Sequence, residues 1–140
     1  MLKVKTNIDS GTFRGIQLAA AEAITGNTTE WHTYYNKEVY QRRRVIAEKI
    51  MKAIGCTFAP QQTGLFLWGK IPESITDAEQ LTEHLLHQHG IFVAPGFIFG
   101  SNGKRYVRLS LCANEARMQE ALQRITSKQD NKPIIEQQNS

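Results

Sequence analysis

The chain has 140 residues, enough for one compact domain, and its hydrophobic share of 41% is ordinary for a protein that folds in water. No apolar run is long enough to span a membrane, and the opening Met1-Leu2-Lys3-Val4-Lys5-Thr6 lacks the apolar stretch of a signal peptide, so a cytoplasmic protein is expected. Two distant cysteines, Cys56 and Cys112, support neither a disulfide framework nor a zinc site, and a formal charge of +4, partly from Arg42, Arg43 and Arg44, is too modest to decide for an anionic partner.

In chain order, residues 1–11 read as an extended entry segment that ends in the Asp9-Ser10-Gly11 turn. An Ala-rich helix follows over about 12–24, with Gly26 and Asn27 as left-handed terminators. Thr29 is placed to cap a long helix over about 30–54. Its apolar residues Tyr35, Val39, Ile46, Ile50 and Ile54 form one stripe, its charged residues Lys37, Arg44, Glu48 and Lys52 lie opposite, and Gly55 ends it.

A β element is expected around 57–59. Leu65-Phe66-Leu67-Trp68 then reads as a buried strand stopped by Pro72. Thr76 and Glu79 have capping-box spacing, which predicts a helix over about 77–89 ended by Gly90. A short strand is expected over 91–94, broken by Pro95 and Gly96, which open a glycine-rich loop through Gly103. The period-two alternation of 105–111 predicts a strand with Tyr106, Arg108 and Ser110 on one face and Val107, Leu109 and Leu111 on the other. Asn114 caps a last helix to about Ile125, whose Met118, Leu122 and Ile125 face inward. Residues 127–140 read as a flexible polar tail, leaving one domain over 12–126. The order of elements predicts an α+β fold, a small mixed or antiparallel sheet covered by helices.

The strongest candidate for chemistry is Arg108. It follows the loop Pro95-Gly96-x-x-Phe99-Gly100-x-x-Gly103, whose glycines allow tight backbone near a ligand, and it is delivered from a strand between two apolar anchors. An arginine held in this way can form a two-pronged pair with a carboxylate. From the residues alone, a solvated strand arginine is the simpler reading.

That loop, together with Tyr106-Val107-Arg108-Leu109-Ser110-Leu111, resembles the segment of class I/II pyridoxal-phosphate-dependent aminotransferases that carries the arginine gripping the substrate's α-carboxylate. Asn7-Ile8-Asp9-Ser10-Gly11-x-Phe13 is similar to the family segment just after the cofactor-lysine region. Tyr40-x-Arg42-Arg43-Arg44 is similar to its Tyr-x-x-Arg-Arg motif, and Pro60-x-x-x-Gly64-x-Phe66-Leu67-Trp68 to one of its strands. The likeness covers about residues 3–126 and points toward the aspartate/diaminopimelate group.

The resemblance implies the small, carboxyl-terminal domain of a fold type I enzyme, with Arg108 as the substrate-binding residue. It puts Asn7 and Ser10 near the cofactor, although a turn with local Asx and Ser hydrogen bonds explains them equally well. The Ser-x-Ser-Lys motif of the lysine that binds pyridoxal phosphate is absent, as are the aspartate and asparagine that meet the ring. The resemblance therefore implies a large upstream partner domain and a homodimer acting on an amino acid and a 2-oxo acid. It also implies no catalytic residue in this chain, no cofactor bound by it alone, and no activity by itself.

Other features carry less. Glu83 and His87 share a helix face but make two metal ligands at most, so no metal is expected. Trp31, Tyr34, Tyr35, Phe66 and Trp68 are most simply packing residues. The alternative from another class is a freestanding basic module binding nucleic acid through Arg42, Arg43, Arg44, Lys104 and Arg105. Isolated, the aminotransferase domain should expose apolar surface around Phe97, Ile98 and Phe99 and the first helix, and self-associate through it.

Overall fold

The computed structural model describes residues 13–26 and 33–129. Packing divides the chain into two units, residues 1–37 and 38–140, which are taken separately.

The described helix of the first unit is α1 (Arg14–Thr25). Alanines at its centre favour helix intrinsically, and it buries none of its residues. Phe13 and Ile24, at 76% and 83% exposed, are open apolar side chains, as expected for this segment. Gly26 is extended (φ −71°) rather than left-handed, and its N–H donates to the Glu22 carbonyl. The expected Asn27 terminator and Thr29 cap lie outside the described residues.

A π-helical segment, Thr33–Tyr40, precedes α2 (Gln41–Ala53) where one continuous α-helix was expected. Ile46 and Ile50 of the predicted stripe are buried, with Ala47 and Met51 beside them, and Ile54 is buried just past the end. Gly55 adopts φ +76°, the left-handed turn that glycine makes at no steric cost.

Three strands form an antiparallel sheet in the order β1–β3–β2: β1 (Phe66–Lys70), β2 (Ala94–Pro95) and β3 (Tyr106–Ser110). The expected β element near 57–59 is a single bridge, Thr57 to Lys70. β2 lies later than the predicted 91–94 and includes Pro95, which an edge strand tolerates. On one face Leu67, Gly69, Val107 and Pro95 are buried. Gly69 has a packing reason, since a Cβ there would lie 2.8 Å from the Met51 sulfur of α2.

The remaining helices are α3 (Ala78–His89) and α4 (Glu115–Gln129). They close the core with Leu81 and Leu85 from α3 and Met118 and Ile125 from α4. Each such buried side chain contributes about 1.5–3 kcal/mol over exposure. Asn114 caps α4 as expected, accepting from the Arg117 N–H at 2.9 Å, and the helix runs four residues beyond Ile125.

The cap of α3 falls one residue later than predicted. Asp77, not Thr76, accepts from the Gln80 N–H at 2.9 Å, while the Gln80 side chain accepts from the Thr76 N–H. Asp77→Ala should therefore lower stability by about 1 kcal/mol in urea unfolding, and Thr76→Ala by much less. Equal losses would place the cap wrongly. Gly90 ends α3 at φ +65°, ψ +34°, as its position predicts.

Candidate functional site

Register and pleat build the site. β1 and β3 pair Trp68 with Arg108, Phe66 with Ser110 and Lys70 with Tyr106. Directly paired residues share a face, so Phe66, Trp68, Tyr106 and Arg108 all stand on the side of the sheet opposite Leu67 and Val107. The run 65–68 is accordingly not the buried strand that its composition predicts. Only Leu67 of the four is buried, and Phe66 is 37% exposed.

Arg108 stands as predicted on the outer face of the central strand, β3. Its guanidinium carbon lies 4.1 Å from the Phe66 ring centroid and 3.9 Å from that of Phe99. Each contact is worth about 0.5–2 kcal/mol, depending on its exclusion from water. Among the described residues Arg108 has no hydrogen-bond or ion-pair partner, and none of its nitrogens is sealed from solvent without one. The side chain is thus held through its planar surface while its five N–H donors stay available.

Beside it lies a cavity of about 480 Å³ walled by Trp68, Phe99, Tyr106, Ser101, Asn102 and the backbone of Gly96, Gly100 and Gly103. Arg108 is not in that wall. Phe99 joins the two, since its ring meets Arg108 and also packs edge-on against Trp68 at 5.5 Å.

The loop that carries Phe99 is two 3-10 turns, Gly96–Phe99 and Ser101–Gly103, joined at Gly100 (φ +130°). Its glycines face the cavity, but what constrains Gly96 and Gly103 is their contact with each other. A Cβ on Gly103 would lie 2.0 Å from the Gly96 carbonyl oxygen, and one on Gly96 would lie 2.5 Å from the Gly103 oxygen. The expected need for close approach to a ligand is met first by the loop's own closure.

Asn7 and Ser10 lie outside the described residues, as does Trp31. Phe66 and Phe99 were missed as partners of Arg108. Phe66 could have been found from the period-two spacing of β1, whereas nothing local to Phe99 announces its partner.

The basic cluster is largely spent within the fold. Arg105 donates to the carbonyls of Pro72, Ile75 and Thr76 and pairs with Glu73 at 3.3 Å. A hydrogen bond and charge from Lys70, then charge from Arg105, hold the Glu73 carboxyl below its usual range. Arg43 and Arg44 donate to backbone carbonyls, and Arg42 donates to the Glu38 carbonyl and pairs with Glu115 at 3.6 Å. Burial pushes the Cys56 thiol up to about 12, making it inert, while Cys112 is exposed.

Among the described residues no group of three metal-ligating side chains occurs. His87 and Glu83 are exposed. The histidines that meet are His84 and His89, with ring centres 6.0 Å apart, and His89 Nδ1 donates to the Arg124 carbonyl at 2.9 Å. Burial, then the charge of His89, lowers the His84 pKa from its ordinary 6.5. The unfolded chain therefore takes up that proton first as pH falls. This contribution to stability is complete above about pH 6.5 and is lost progressively below it. Urea midpoints should fall from pH 7.5 to 5.5, with a shallower fall in His84→Gln. An identical slope in that variant would remove His84 from the account.

Residues 2–125 match the family model for aminotransferases of class I and II. The chain belongs to the class I and II aminotransferases. Among relatives of this aminotransferase chain, LL-diaminopimelate aminotransferase of Halothermothrix orenii is 37% identical over 123 residues, and LL-diaminopimelate aminotransferase 2 of Trichormus variabilis is 40% identical over 123. Each match covers 88% of the present chain and 31% of the relative, so the chain spans about a third of the length of the curated relatives it matches.

Solved structures agree. The probable N-succinyldiaminopimelate aminotransferase of Thermus thermophilus superposes with a TM-score of 0.68 at 28% identity, covering 89% of this chain and 33% of that one. An aminotransferase from Staphylococcus aureus gives 0.66 at 31%, covering 90% and 33%. The α+β fold with its small antiparallel sheet is that of the fold type I aminotransferases.

Full-length enzymes of this family use pyridoxal phosphate. Among the described residues, the cavity wall has no amine to bond the cofactor and no carboxylate to meet its ring nitrogen. The wall does not fit the cofactor by itself, and the charged group beside it, reached through Phe99, is the Arg108 guanidinium.

Proposed function

We infer that the chain is the small domain of an aminotransferase and that Arg108 binds the α-carboxylate of the substrate. The observation that supports this most is the state of Arg108, stacked on Phe66 and Phe99 with its N–H donors free of protein acceptors among the described residues. A guanidinium fixed in plane presents two parallel N–H groups to a carboxylate at little entropic cost. Fixing that carboxylate orients the rest of the amino acid, which is what transfer of an amino group to a 2-oxo acid needs from this part of the enzyme.

The large domain carrying the cofactor lysine belongs to polypeptide outside these residues, and the working enzyme is a cytoplasmic homodimer. Asn7 and Ser10 stand near the cofactor in that assembly. The nucleic-acid alternative is weakened because Arg42, Arg43, Arg44 and Arg105 already engage backbone carbonyls.

The test is direct. The 140-residue chain, incubated with pyridoxal phosphate, glutamate and a 2-oxo acid, should form no new amino acid. The same chain joined to a lysine-bearing large domain should. Turnover by the isolated chain, or tight salt-sensitive binding of an oligonucleotide to it, would overturn the reading.

A further inference from the structure

Two consecutive arginines on α2 have no place in the reading so far. Arg43 reaches across to the end of β3, where its Nη1 donates to the carbonyls of Leu111 at 3.2 Å and Cys112 at 3.4 Å. Its guanidinium lies 5.4 Å from the Tyr40 ring centre, and its Nε is buried without a partner among the described residues. Arg44 donates through Nη2 to the Gly64 carbonyl at 2.9 Å.

These carbonyls flank the site. Leu111 follows Arg108 by three residues, and Gly64 precedes Phe66 by two. The Leu111 N–H also donates to the Leu65 carbonyl at 2.8 Å, which ties the two chain ends together where the arginines grip them.

We propose that Arg43 and Arg44 are positioning residues for Arg108: from one helix they hold the ends of β1 and β3 in register, and so set the stack of Phe66 on Arg108. The proposal rests on the reading of Arg108 as a carboxylate site for its use, but not for its geometry. Solvation does not account for Arg43. Two of its contacts are to backbone 68 and 69 residues away, and a side chain serving only to face water would not keep its Nε buried. An arginine can span two adjacent carbonyls from one planar group. A lysine brings a single ammonium on a flexible stem, so Arg43→Lys keeps the charge and loses the span.

The test uses the 140-residue chain and the NMR signal of the Arg108 Nε–H, which the rings of Phe66 and Phe99 should displace from its open-chain position. Arg43→Lys and Arg44→Leu are compared with the parent chain, with the core methyl signals of Leu67 and Leu85 reporting whether the fold is intact. The expected result, before any ligand is added, is that the Arg108 signal moves toward its open-chain position in both variants while the core signals stay. Glutarate is then the carboxylate probe, and its dissociation constant should rise about fivefold or more in Arg43→Lys. Arg44 is half-buried and, unlike Arg43, has no polar atom sealed from solvent without a partner, so Arg44→Leu remains a fair test even if Arg43→Lys fails to fold. An unmoved Arg108 signal in the folded variants overturns the positioning role. If the signal moves but the parent chain ignores glutarate, the positioning stands and the carboxylate reading falls.

Discussion

Arg108→Lys is expected to weaken amino-acid binding by about 100-fold in the enzyme that combines this domain with its lysine-bearing partner. Hydrogen bonds to a charged group contribute about 1.5–3 kcal/mol. Lysine keeps the charge but loses the second prong and the planar contact with Phe66 and Phe99. A loss of about 2–3 kcal/mol corresponds to roughly 30- to 150-fold. The measurement is the dissociation constant of the amino donor, followed by cofactor absorbance. The 2-oxo acid should be affected alike, because it bears the same carboxylate. Apparent affinities within twofold of the parent would rule out the assigned role.

Gly103→Ala carries the largest expected loss of stability among the loop positions, about 2–3 kcal/mol. Its new methyl carbon would lie 2.0 Å from the Gly96 carbonyl oxygen, where ordinary contact begins near 3.4 Å. Backbone faces backbone there, so no side chain can swing aside and the two 3-10 turns must part. Gly64→Ala is the control. It has positive φ (+84°) but nothing within 4 Å of the added carbon, so its cost in stability is backbone strain of about 1 kcal/mol without a collision. Urea unfolding of the two variants separates collision from strain, and equal losses would mean that the Gly96–Gly103 contact does not constrain the loop. With the turns parted, Phe99 should also leave Arg108, so Gly103→Ala should bind glutarate more weakly than the parent chain.

What the sequence made legible was local and periodic. Ile46, Ile50 and Ile54 recur at four-residue spacing and are buried, Asn114 caps α4, and Gly55 and Gly90 take the left-handed turns their positions suggest. Arg108 was legible because alternation in β3 separates it from Val107. Errors arose where two residues competed for one task. Thr76 and Asp77 both suit an N-cap and each has a Glu or Gln three residues on, so pattern alone could not choose between them.

Composition misled at Leu65-Phe66-Leu67-Trp68, because an apolar run reads as buried on both faces until a partner strand and a site are known. The long-range arginine contacts were beyond reach altogether. Arg43 meets Leu111, Arg44 meets Gly64 and Arg105 meets Ile75 across 68, 20 and 30 residues, and no local spacing encodes such a meeting.

The strand order has a consequence for kinetics. β3 is the middle strand, hydrogen-bonded to β1 on one side and β2 on the other. Paired on both sides at Val107 and Arg108, its main chain is expected to be among the slowest in the unit to exchange with solvent deuterium. On the proposed reading, a carboxylate arriving at Arg108 would meet main chain paired on both sides, and any adjustment to it would fall to the turns around Phe99.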